Sequence, residues 1–163
     1  DAMAMHSHYA FTHGLVMRAD CSASLEMRGD RSKIICAVSH LLSNALRHSD
    51  DNGEVTLSAK ANSDDGLIIS VRDSGEGIAP VQLQLIRDAL SSDVAYFNIA
   101  SGGVGLGLSL SKELVGRHGG KVMVDSMRYR GSIASLILPA ERVESGLSYK
   151  RRVRQPHLSV VAE

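Results

Sequence analysis

The chain has 163 residues, with 18 basic and 18 acidic side chains, 44% hydrophobic residues and 4% aromatic. That is about one domain of ordinary soluble composition, long enough to bury a core. Zero net charge and the lack of tryptophan argue against nucleic acid, and no apolar run approaches the roughly 18 residues that span a membrane.

No export signal is evident, and Cys21 and Cys36 lack metal-ligand spacing. They read as reduced thiols in a cytoplasmic chain without direct membrane contact from this segment. Residues 1–13 are rich in Met, Ala and His without periodicity, and read as an N-terminal segment or cloning remnant rather than a metal site at His6, His8 and His13. Residues 14–18 and 24–28 read as short strands, and Asp30 is placed to cap a helix. From Ser32 to His48, Ile34, Ile35, Val38, Leu41, Leu42, Ala45 and Leu46 recur at helical spacing. His40, Asn44, Arg47 and His48 share the other side. Asn is a poor mid-helix residue. Its carbonyl oxygen can ligate Mg²⁺, and a neighbouring Arg can meet a phosphate; a solvated polar face is the plainer alternative.

Residues 54–59 and 67–73 form a predicted hairpin with a turn at 62–66. Its second strand ends in Asp73-Ser74-Gly75-Glu76-Gly77-Ile78. A plain turn accounts for the glycines, but a carboxylate closing a buried strand needs a partner, and an amino group on a purine ring is a suitable one. Pro80 opens a short helix to about Ala89-Leu90. Residues 91–103 have no regular pattern and suit a mobile lid. Gly103-Val104-Gly105-Leu106-Gly107-Leu108 then opens a helix running to His118. Glycines destabilise a first turn, which invites either a tight turn or close backbone approach to an anion. A second hairpin, 121–125 with 132–138, follows; residues 140–163 carry Lys150, Arg151, Arg152 and Arg154 without periodicity and read as a basic tail or linker.

The order β β α β β α α β β, with adjacent hairpins, predicts an α+β fold: a two-layer α/β sandwich whose mixed, mostly antiparallel sheet is covered on one face by three helices. The P-loop and Rossmann signatures are absent.

Over residues 14–139 the chain resembles the catalytic, ATP-binding domain of bacterial sensor histidine kinases, in the GHKL ATPase superfamily with its Bergerat-type fold. His40-Leu41-Leu42-Ser43-Asn44-Ala45-Leu46-Arg47-His48 resembles the family's N box, residues 73–77 its G1 box, and residues 103–108 its G2 box. Gly131-Ser132 stands where Gly-Thr is usual. The resemblance implies ATP and Mg²⁺ as cofactors. Asn44 would coordinate Mg²⁺ with His40 able to assist, Arg47 would lie near the phosphates, and His48 would line the site. Asp73 would accept a hydrogen bond from the adenine amino group, Gly75, Gly77 and Ile78 would close around the base, and Ser132 would place a water. Gly103, Val104, Gly105, Leu106, Gly107 and Leu108 would hinge the lid and offer N–H groups to phosphate.

The implied partners are a histidine-bearing dimerisation domain of a parent kinase and a response regulator receiver domain. No histidine in the chain is followed by the Glu or Asp of a phosphoacceptor box, so the acceptor is expected upstream in a longer parent that could be membrane-anchored. Departures are the phenylalanine-poor stretch before the lid, the lack of Lys or Arg from Asp88 to Ser111, and His40 where relatives carry Asn or a hydrolytic Glu. These keep open a degenerate nucleotide-binding scaffold and an anti-sigma-type serine kinase.

Overall fold

The computed structural model describes residues 2–21, 25–62, 64, 66–92, 106–143 and 158–161. Their elements are α1 (Ala2–Thr12), β1 (Val16–Cys21), β2 (Leu25–Arg28), α2 (Arg31–His48), β3 (Glu54–Ala61), β4 (Leu67–Asp73), α3 (Pro80–Ser91), α4 (Leu106–Gly116), β5 (Lys121–Ser126), β6 (Ser132–Leu138) and β7 (Leu158–Val161), with a 3₁₀ turn at Ala140–Arg142.

Five strands form one sheet in the order β1-β3-β4-β6-β5. The two expected hairpins supply the antiparallel pairs β3–β4 and β5–β6, and β4 pairs antiparallel with β6. The edge pair β1–β3 is parallel, with Val16 opposite Glu54 and Cys21 opposite Ala59. The result is the mixed, mostly antiparallel sheet under helices that the element order predicts.

Period-two alternation decides what each strand buries. Val55 and Ala59 of β3, Leu67, Ile69 and Val71 of β4, Val122 and Val124 of β5, and Leu136 and Leu138 of β6 face the core. Against them α2 buries Ile34, Ala37, Val38, Leu41, Leu42, Ala45 and Leu46, the stripe expected from its spacing. Full burial of each Leu or Ile contributes about 1.5–3 kcal/mol, so this helix anchors the layer. Asp30 caps it: the carboxylate accepts the Lys33 N–H at 3.1 Å and pairs with its ammonium at 2.6 Å.

The helix α4 is stitched to α2 by polar contacts inside the apolar seam. Ser111, fully buried, donates to the Ala37 carbonyl at 3.1 Å. Buried His118 lies 2.9 Å from the Leu114 carbonyl through Nδ1 and accepts the Asp30 N–H on Nε2 at 3.0 Å. Each ring nitrogen has one partner, which fixes the tautomer as Nδ1–H. Gly119 then ends the helix at φ +73°, the left-handed turn glycine tolerates.

Three elements differ from the sequence-based expectation. Residues 2–12, read as carrying no element, form α1, which packs on α2 by burying Ala2 and Ala10. This fourth helix joins the three expected. The strand β2 stands outside the main sheet, where Leu25–Arg28 pair in parallel with Leu158–Val161 of the expected tail. The first predicted strand is shifted to Val16–Cys21 because its parallel neighbour β3 sets its extent.

Candidate functional site

The strand β4 places the first piece. The alternation that buries Leu67, Ile69 and Val71 puts Asp73 next on the same face, so a carboxylate closes the apolar row and stays 8% exposed. Its Oδ1 accepts two backbone bonds, from the Gly75 N–H at 3.0 Å and the Ser132 N–H at 3.1 Å. Burial pushes the carboxyl above the ordinary aspartate range, opposed by those two N–H groups and by nearby His48 and Arg72. Among the described residues no hydrogen bond engages Oδ2. A desolvated acceptor with one oxygen held and one free is suited to receive a ligand's N–H.

The loop after β4 is clamped from two sides. A Cβ on Gly75 would collide with the His48 carbonyl, so glycine there lets the loop lie against the last turn of α2. Gly77, at φ +68°, lacks a Cβ that would strike the Met127 carbonyl of the β5–β6 turn. That turn answers with the Tyr129 N–H on the Glu76 carbonyl at 2.5 Å. Gly131, at φ +81°, leaves room for the Asp73 carbonyl. Ser126 accepts the Ile78 N–H at 2.8 Å, donates to the Gly131 carbonyl at 2.9 Å and lies 3.0 Å from the Ser132 hydroxyl. Ser126 was not singled out in the sequence; its place opposite Ser132 in the hairpin register is the signal that could have found it.

The helix α2 carries the second piece. Asn44 is half-buried, and no hydrogen bond among the described residues engages its amide. The ideal Cβ position of Gly107, in the first turn of α4, is 3.5 Å from Asn44 Nδ2 and from His40 Cβ. The helix α4 therefore opens beside the N-box side chains. One turn on from Asn44, His48 carries the carbonyl that meets Gly75 and sits close enough to pull on Asp73. Arg47 and His48 are exposed on that rim. Helix α2 thus joins His40 and Asn44, which border Gly107, to His48, whose carbonyl meets the loop that holds Gly75 and Asp73. Ile78 packs against the core, Leu108 is buried in it, and Leu106 is exposed. Gly103, Val104 and Gly105 lie outside the described residues.

Lys112 was also not anticipated. Its ammonium bonds the Ala89 carbonyl at 3.1 Å and the Ser92 carbonyl, satisfying the C-terminal end of α3 from α4. A separate hollow of about 260 Å³ lies on the opposite face of the sheet, lined by Arg72, Asp125, Met127, Arg130 and Ile133. It shares only the hairpin residues Ser126, Gly131 and Ser132 with the site, and holds neither Asn44 nor Asp73.

Comparison with known proteins gives the family and the fold. The family described as histidine kinase-, DNA gyrase B-, and HSP90-like ATPase matches residues 29–142. Sensor histidine kinase WalK of Bacillus subtilis is 33% identical over 138 residues, covering 84% of this chain and 22% of that protein. The chain therefore spans under a quarter of that relative's length. Among solved structures, full-length ShkA in complex with AMPPNP has a TM-score of 0.70 at 24% identity, covering 85% of this chain and 28% of that one. The nucleotide-free catalytic domain of histidine kinase ThkA has a TM-score of 0.64 at 18% identity, covering 85% and 88%. These two structures share the fold. With a family match running from just before the cap of α2 to Arg142, beyond the end of β6, the chain belongs to the histidine kinase-, DNA gyrase B- and HSP90-like ATPases.

Proposed function

We propose that this chain is the ATP-binding catalytic domain of a two-component sensor histidine kinase. In this reading it passes the γ-phosphoryl group of ATP to a histidine on a separate dimerisation domain, for relay to a response regulator. The observation that carries the reading is Asp73: a buried carboxylate with two backbone N–H groups on one oxygen and the other oxygen free, an acceptor for the adenine amino group. The unengaged amide of Asn44 fits a magnesium ligand, a hard cation that takes carbonyl oxygens. Magnesium-bound ATP supplies the phosphoryl group and the cation that offsets its charge.

The chain's own residues do the positioning. Asp73, held by Gly75 and Ser132, fixes the base; Ser132 adds a hydroxyl beside it. Asn44 holds the metal side, Arg47 offers a cation toward phosphate from the exposed rim, and Gly107 lets the first turn of α4 approach His40 and Asn44. Phosphoryl transfer passes through a loose transition state, so orientation and charge neutralisation provide most of the rate. Residues 14–139 are the proposed catalytic unit, with 1–13 leading into it and 140–163 following.

The test is to mix the chain with the dimerisation domain of its parent kinase and γ-labelled ATP. The expected result is an acid-labile label on that domain that moves to an aspartate of the receiver domain. The lack of Lys or Arg from Asp88 to Ser111 favours one second reading, a nucleotide-binding scaffold, which would leave the dimerisation domain unlabelled. An acid-stable phosphoserine would instead mark a serine kinase.

A further inference from the structure

Cys36 and His40 lie one turn apart on α2, on the stripe that continues to Asn44. Cys36 is exposed, and its Sγ is 3.5 Å from His40 Nε2. A tetrahedral cation held by a thiolate at about 2.3 Å and an imidazole nitrogen at about 2.1 Å separates the two donors by about 3.6 Å. The pair already stands at that bite distance, on a rigid helix and with solvent access. One sulfur and one imidazole nitrogen, with no carboxylate, favour thiophilic cations over magnesium.

We propose that Cys36 and His40 form a two-donor chelate for a thiophilic cation, zinc or a zinc-like ion, one helical turn before Asn44. On binding, the Cys36 thiol gives its proton to solvent, the sulfur–metal bond forms, and Nε2 donates its lone pair; no electron is transferred. Among the described residues no third His, Cys, Asp or Glu completes a cluster, so water fills the remaining positions. The chelate rests on these two side chains; because His40 also borders Gly107 and Asn44, it is tested in the absence of nucleotide.

Cadmium titrated into the reduced chain tests this through its ultraviolet thiolate-to-metal charge-transfer band, with zinc as competitor. The expected result is a band saturating at one ion per chain, kept in Cys21→Ser, lost in Cys36→Ser and reversed by zinc. His40→Ala and His40→Asn should each weaken binding about tenfold or more, since losing even an outer-shell partner of a ligand costs that much. Circular dichroism checks that each variant is folded, and His40→Asn retains a polar side chain of relatives' type. A band that persists in Cys36→Ser, an affinity unmoved by both His40 variants, or no saturable band would each overturn the proposal.

Discussion

Asp73 concentrates the chemistry of the site in one side chain. Its position was legible, because an acid two residues beyond Val71 on a buried face has to sit at the rim of the core. Its partners were not, since Ser132 reaches it only through the β4–β6 pairing of distant segments. Asp73→Asn keeps an acceptor for Gly75 and Ser132 but puts an amide where the free oxygen was. Adenine nucleotide affinity should fall by the roughly 1.5–3 kcal/mol of a hydrogen bond to a charged acceptor, read by calorimetry. The pH dependence has a definite sign. The native carboxyl holds its proton more tightly than the unfolded one, so its contribution to stability is full below the ordinary value of 3.8 and is lost as pH rises through the raised native value. Urea melts should therefore show Asp73→Asn gaining on wild type from acid toward neutral pH. Nucleotide affinity should weaken as pH falls through the same native value, because the acceptor becomes protonated. Gly75 teaches a related lesson: the residue type announces a close approach but not of what. The group that fills its space is the His48 carbonyl. Gly75→Ala should destabilise the fold by about 1–3 kcal/mol or more, an overpacking cost, measured by denaturant unfolding.

Two elements hold the site in register, the last turn of α2 and the β5–β6 turn. The strong spacing of α2 made it legible to within a residue or so, and with it the shared side of His40, Asn44 and His48. The hairpin's own strands were equally plain, but its clamp on the loop after β4 depends on one hydroxyl that no local pattern marks. Ser126→Ala strands the Ile78 N–H and leaves the Gly131 carbonyl with the Met127 N–H alone. It should cost about 1–3 kcal/mol and speed amide exchange at Ile78 beyond that at core positions such as Leu136. Removing the His118 ring in His118→Ala should likewise lower the unfolding midpoint, by taking away the link between the end of α4 and the start of α2. The helix α1 escaped notice for a physical reason: Ala2 and Ala10 are buried while Met5 and Phe11 are 68% and 84% exposed. Its bulky apolar side chains trace no inward stripe, and its place is set by packing on α2. The strand β7 is paired by β2 from the far end of the chain, a long-range partnership that local alternation does not encode.

At the scale of the molecule, one face of the five-stranded sheet carries the helices and the core while the other bears exposed pairs such as Arg18–Glu54 and Lys60–Asp20. Hairpin logic gives neighbours within each pair, but not that β6 would lie beside β4 or that β1 would run parallel to β3. The order of the three boxes adds an expectation the local pattern lacks, because boxes far apart in sequence have to converge if they share a ligand. Among the described residues, Gly107 lies beside Asn44 and Gly75 meets the His48 carbonyl, so two of the expected glycines border α2. Among the described residues no helix is long and apolar enough to cross a membrane. The central claim, one pocket with Asn44 at the metal end and Asp73 at the base end, is tested most directly by calorimetric titration of this chain with AMPPNP, with and without Mg²⁺. Saturation at one nucleotide per chain is expected, with the Mg²⁺ dependence lost in Asn44→Ala and affinity at least about tenfold weaker in Asp73→Asn; no binding, or binding indifferent to both substitutions, would contradict it.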